Sequence, residues 1–100
     1  MTLLSDAEIE KRLATLNGWR RDVPAGPDAP AAIVRERKLD DFAAAIALVN
    51  RVAELAQEAN HHPDICVHGW NNVRLTLSTH SAGGLTEADF GLAARIDRLA

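Results

Sequence analysis

The chain has 100 residues with a net charge of −3; 47% are hydrophobic and 25% charged. That length predicts one domain over residues 1–100, able to bury a modest core. The charge argues against a nucleic-acid surface, which needs a basic patch. No apolar run approaches the ~20 residues needed to cross a bilayer, so no membrane role is expected. Cys66 is the only cysteine, which excludes an internal disulfide and fits a reducing, cytoplasmic setting.

Ser5-Asp6-Ala7-Glu8 reads as a capping box, and Ile9, Leu13 and Leu16 follow at helical spacing. A first helix is predicted over about 5–16, ended by Asn17-Gly18. Trp19 to Val23 reads as a short strand headed by an anchoring tryptophan. Pro24 to Pro30 is a turn on composition. Ala31 to Leu39 alternates imperfectly and reads as the partner strand. Asp40 is the expected N-cap of the longest helix, about 41–60, with Asp41 in its first turn. Phe42, Ala45, Ile46, Val49, Val52, Ala53 and Ala56 stripe that helix, and Leu48 and Leu55 widen the face. A face so broad can serve the core alone, or can leave an edge for a subunit contact.

Pro63 cannot continue the helix, so His61 and His62 fall at its exit. Asp64 to Trp70 reads as a third strand, Asn71-Asn72 as a tight turn, and Val73 to His80 as a fourth strand with Val73, Leu75, Leu77 and Thr79 inward. Gly83-Gly84 interrupts the chain. Thr86 to Asp89 resembles a capping box with a short carboxylate, and Leu92, Ile96 and Leu99 stripe a last helix. The order α-β-β-α-β-β-α predicts an α+β fold: a four-stranded, mainly antiparallel sheet with three helices on one face.

An antiparallel hairpin sets the start of one strand beside the end of its partner, so His61, His62 and His80 should share one rim. Imidazoles, with an ordinary pKa near ~6.5, are suited to an acid–base cluster. Zinc ligation by these histidines, or by Cys66 and His68, is the other chemistry open to them, although the spacing matches no familiar zinc pattern. Cys66 itself reads as a small apolar filler. Asp89 can cap its helix, orient a histidine or touch a ligand. Trp70 can pack or wall a flat ligand.

Together, His61-His62-Pro63, Trp70, His80 and Asp89, with Leu75 to His80 and Gly83 to Thr86, resemble the pterin-4a-carbinolamine dehydratase family. The likeness in element order covers nearly the whole chain. Gln57 departs from it, since the family places an ionisable residue four before the first histidine. The resemblance implies an antiparallel four-stranded sheet with three helices on one side, assembled as homodimers or homotetramers. It implies dehydration of 4a-hydroxytetrahydrobiopterin to quinonoid dihydropterin and water without metal or cofactor. That step recycles tetrahydrobiopterin for aromatic amino-acid hydroxylases. Catalysis is then expected from His61, His62 and His80, with Gln57, Trp70, Ser78, Thr79 and Asp89 on the substrate. Within this reading His61 and His80 form the acid–base pair, His62 positions the pterin, and strand-end backbone at Ser78 and Thr79 meets the ring edge. Family members also act as dimerisation cofactors of a transcription factor, so a binding role for the long-helix face is the alternative.

Overall fold

The computed structural model describes residues 2–22 and 31–99; Val23 and the expected turn at Pro24 to Pro30 lie outside them. Its elements are α1 (Asp6–Leu13), β1 (Arg20–Asp22), β2 (Ala32–Lys38), α2 (Phe42–Ala59), β3 (Asp64–His68), β4 (Asn72–Leu77), a single 3₁₀ turn (His80–Ala82) and α3 (Glu87–Asp97). The four strands form one sheet in the order β1-β2-β4-β3, antiparallel at every pairing. The expected α+β order is therefore the observed one.

Strand alternation divides the sheet into two faces. Ile33 on β2 and Val73, Leu75 and Leu77 on β4 are buried in the core, with Ile65 and Val67 of β3 packed against it. The helices contribute Ile9 from α1, Ala45, Leu48, Val52 and Ala56 from α2, and Phe90, Leu92, Ala93 and Ile96 from α3. All three helices thus cover the same face. The opposite parity carries Glu36, Arg74, Cys66 and His68. Cys66 is exposed there, so it does not fill the core as the sequence suggested.

Several boundaries moved for local reasons. Helix α1 stops at Leu13, short of Leu16, and Thr15 Oγ1 donates to the Arg12 carbonyl at 2.7 Å, which diverts the chain into a turn. Asp41, rather than Asp40, caps α2, accepting from the Ala44 amide at 2.8 Å. The β3–β4 connection turns at Gly69 and Trp70, whose φ angles are 55° and 61°. Asn71 does not supply the positive φ; its side-chain amide instead donates to the Leu39 carbonyl at 2.9 Å and clamps the end of β2. Among the described residues no helix is long and apolar enough to cross a membrane.

Arg35 breaks the apolar parity of β2, and its burial needs a partner. Asp97, at the end of α3, supplies it: Asp97 Oδ1 accepts from Arg35 at 2.5 Å and from the Trp19 indole at 2.8 Å. Asp97 Oδ2 accepts from the Asn17 amide at 3.0 Å. One carboxylate therefore ties α3, β2 and the α1–β1 connection. On the open face, hydrogen bonding from Arg74 holds the Glu36 carboxyl below its ordinary value, assisted by Coulomb attraction to Arg74, Arg20 and His68. Its contribution is present above the ordinary carboxylate range and is lost as the pH falls through the lowered value. Solvent screens this pair and leaves it little weight.

The contrast is measurable by urea denaturation. Asp97→Ala, which strands the Arg35 guanidinium, is expected to lose roughly 3–5 kcal/mol. Glu36→Gln should unfold at close to the wild-type midpoint. Equal losses from the two variants would refute the assignment of Asp97 as the anchor.

Candidate active site

The exit of α2 sets the first wall of the site. Asn60 ends the helix in the left-handed conformation, at φ 49° and ψ 42°. The His61 amide then donates back to the Ala56 carbonyl at 3.1 Å, closing a Schellman-type cap. Pro63 prevents any further turn, so His61 and His62 leave the helix with fixed directions.

The end of β4 sets the second wall. Thr79 pairs with Gly84 as an isolated bridge, and the 3₁₀ turn between them carries His80. Gly83 takes φ 78°, and its amide donates to the Thr79 carbonyl at 2.9 Å. Ser78 is held by its hydroxyl, which donates to the Ala31 carbonyl at 2.8 Å.

Asp89, at the start of α3, joins the two walls. It has no exposed surface. Its Oδ1 lies 2.6 Å from His61 Nε2. Its Oδ2 accepts from the Thr79 hydroxyl at 2.8 Å and from the Thr86 amide at 2.9 Å. The capping box expected at Thr86 to Asp89 is formed with both halves present. The short Asp side chain keeps its carboxylate close to the helix end, where the His61 ring can reach it.

Between the walls lies an open cleft of about 230 Å³ lined by Asn60, His61, His62, Ser78, Thr79, His80 and Ser81. The volume lies below the ~300–1,000 Å³ of drug-sized ligand sites, which suits a small ring system. Every lining residue has a polar side chain. His61 is mostly buried, with its side chain 14% exposed, whereas His62 and His80 are open to solvent. A half-buried imidazole fixed by a carboxylate beside two exposed ones can hold a ligand and move protons at its surface.

The structure brings His61, His62, His80, Ser78 and Thr79 to this cleft. Gln57 stands behind it, with Oε1 3.2 Å from His62 Nε2. Asp89 does not reach the cleft surface and acts on it through His61. Trp70 is elsewhere: it lies at the β3–β4 turn, the far end of the hairpin, and is 62% exposed. Sequence spacing could not see this, because the strand ends at His68 and the turn falls on Trp70 itself. The Thr79 amide and carbonyl, expected at a ligand edge, are instead engaged by the turn that Gly84 closes. The inward role of the Thr79 hydroxyl was missed, and the capping box that buries Asp89 was the only signal for it. Among the described residues no group of three or more His, Cys, Asp or Glu side chains is arranged to hold a metal. His68 stands apart, 3.7 Å from Glu36 on the open face.

Comparison with known proteins gives a consistent result. Residues 2–99 match the family described as pterin 4 alpha carbinolamine dehydratase. A protein of Roseiflexus castenholzii named as a candidate pterin-4-alpha-carbinolamine dehydratase is 52% identical over 97 residues, covering 97% of this chain and 96% of its own. One of the same name from Nocardia farcinica is 51% identical over 98 residues, covering 98% and 95%. The crystal structure of a transcriptional coactivator/pterin dehydratase from Brucella melitensis superposes with a TM-score of 0.84 at 31% identity, covering 99% of each chain. A pterin dehydratase-like protein identified as a RuBisCO assembly factor in the alpha-carboxysome superposes with a TM-score of 0.67 at 28% identity, covering 84% of this chain and 90% of its own.

The helix cap beside the site has its own test. Asn60→Gly should retain stability within a few tenths of a kcal/mol, and Asn60→Ala should lose about 1 kcal/mol or more, because alanine is strained at positive φ. Equal unfolding midpoints for the two variants would contradict the left-handed cap.

Proposed function

Because the chain belongs to the pterin 4 alpha carbinolamine dehydratase family, we propose that it dehydrates 4a-hydroxytetrahydrobiopterin or a close tetrahydropterin analogue by histidine acid–base catalysis. The observation that carries this reading is the cleft itself, where His61, His62 and His80 meet and Asp89 fixes His61 from behind. The reaction breaks the C4a–O bond, and the hydroxyl leaves as water after taking a proton. The N5 electrons fill the gap, N5 then gives up its proton, and quinonoid dihydropterin results. No net oxidation or reduction occurs.

His80, in the open turn, donates the proton to the leaving hydroxyl. His61 accepts the N5 proton, and the Asp89 carboxylate stabilises the imidazolium that forms, as a buried carboxylate does behind any general-base histidine. Each well-placed acid or base is worth ~10²–10⁴-fold. His62, steadied by Gln57, positions the ring. The backbone of Ser78 meets the ring edge, since that of Thr79 is taken up by its turn. In a cytoplasmic setting the enzyme would regenerate tetrahydrobiopterin for an aromatic amino-acid hydroxylase.

A second reading is favoured by one observation on α2. The residues facing the core are Ala45, Leu48, Val52 and Ala56, which leaves Phe42 54% exposed and Ala53 exposed on the same helix. This spare edge supports self-association into a homodimer or homotetramer. It would also serve a non-catalytic interaction role, of the kind named for the assembly-factor relative. Sedimentation over a range of concentrations distinguishes a monomer from an assembly, and Phe42→Glu should shift the assembly toward monomer.

The enzymatic reading predicts turnover of 4a-hydroxytetrahydropterin, generated in place by a pterin-dependent hydroxylase, well above the spontaneous rate. His80→Ala should lower that rate by ~10²-fold or more with little loss of stability, and His61→Ala by a similar factor. His61→Ala should also cost stability, because it removes a donor from a buried carboxylate. Spontaneous-rate dehydration in the presence of folded wild-type protein would exclude the reading.

A further inference from the structure

The hydrogen bonds around Asp89 have a direction, and following it assigns the protons of the site. Thr86 Oγ1 accepts from the Ala88 amide at 3.3 Å and from the Asp89 amide in the capping box. Thr79 Oγ1 carries one proton, and the carboxylate oxygen Asp89 Oδ2, 2.8 Å away, can only accept it. Thr79 therefore donates to Asp89, and in its buried 2.8 Å contact with Thr86 Oγ1 the proton comes from Thr86. The Thr86 amide donates to the same oxygen at 2.9 Å.

Oδ2 thus carries two donors on the inner side of the carboxylate, and Oδ1 is turned toward His61 at 2.6 Å. A carboxylate is an acceptor only, so the ring nitrogen facing it must carry hydrogen. We propose that the Thr86–Thr79 hydroxyl pair is a positioning device that orients the Asp89 carboxylate and so locks His61 with its proton on Nε2 and its lone pair on Nδ1. Thr79 is a positioning residue in this scheme: although it lines part of the cleft wall, the residue is only 4% exposed and its hydroxyl is directed at the Asp89 carboxylate. The resting imidazole then has one nitrogen able to take a proton, and it is the one not held by Asp89. The same hydroxyl also fixes the distance between the two walls, because Thr79 immediately precedes His80 while Asp89 grips His61.

The tautomer is a property of the free protein and does not depend on what the cleft binds; the kinetic consequence rests on the dehydratase reading above. The two are tested separately. Long-range proton–nitrogen NMR of histidine-labelled wild-type protein in mildly alkaline buffer should show His61 protonated at Nε2 and bare at Nδ1. In Thr79→Val, which keeps the shape and removes the hydroxyl, His61 should become a mixture of tautomers. The kcat for 4a-hydroxytetrahydropterin should then fall by an order of magnitude or more, toward the ~10²-fold that a misplaced catalytic group can cost, with KM changed less. Thr79→Ser, which returns the hydroxyl, should restore both the single tautomer and kcat. A wild-type ring protonated at Nδ1 overturns the proposal without any variant being needed. So does a Thr79→Val protein with the wild-type tautomer and kcat, or a loss of kcat that Thr79→Ser does not rescue. If the wild-type tautomer is as assigned and turnover is absent, the positioning device stands and the dehydratase reading fails.

Discussion

One buried carboxylate, that of Asp89, holds the site together. A carboxylate with no exposed surface is tolerated only where donors surround it, and here they come from three different parts of the chain. The Thr86 amide belongs to the start of α3, the Thr79 hydroxyl to the end of β4, and the His61 ring to the exit of α2. None of these segments could shift without leaving a buried acceptor unpaired. The geometry of the cleft is therefore fixed by the cost of that unpaired acceptor, and the histidines inherit their positions from it.

The other end of α3 repeats the device for a different purpose. Asp97 gathers Arg35, Trp19 and Asn17, and so fastens the helix to β2 and to the α1–β1 connection. Helix α3 is thus pinned at both termini by charge-assisted hydrogen bonds, while Phe90, Leu92, Ala93 and Ile96 fill the core between them. The apolar contacts supply the driving force for packing. The two carboxylates decide the register in which the helix lies, and that register carries Asp89 to His61.

Much of the fold was legible because it rests on local signals. Apolar periodicity separates strands from helices, Pro63 ends α2, and the Thr86 to Asp89 box starts α3. The gathering of His61, His62 and His80 followed from hairpin geometry alone. What was not legible depends on partners far along the chain. Arg35 looks like a fault in its strand until Asp97 is seen beside it, 62 positions later. Trp70 was expected on the substrate from the family resemblance, and on a strand from its alternation with Cys66 and His68, whereas the backbone turns at Gly69 and carries it to the far end of the hairpin. Thr79 sits on the inward parity, as expected, but its inward face meets a carboxylate, and no residue pattern shows where a hydroxyl proton goes.

The measurement that bears most directly on this account is the turnover of 4a-hydroxytetrahydropterin by Asp89→Asn, compared with wild type at equal folded concentration verified by near-ultraviolet circular dichroism. Asparagine keeps the shape of the side chain and removes its charge, so His61 loses the partner that orients its ring and stabilises its imidazolium. The account predicts a folded variant whose kcat is lower by ~10²-fold or more, since a wrongly oriented or wrongly protonated histidine cannot take the proton. A folded Asp89→Asn protein turning over at the wild-type rate would contradict it.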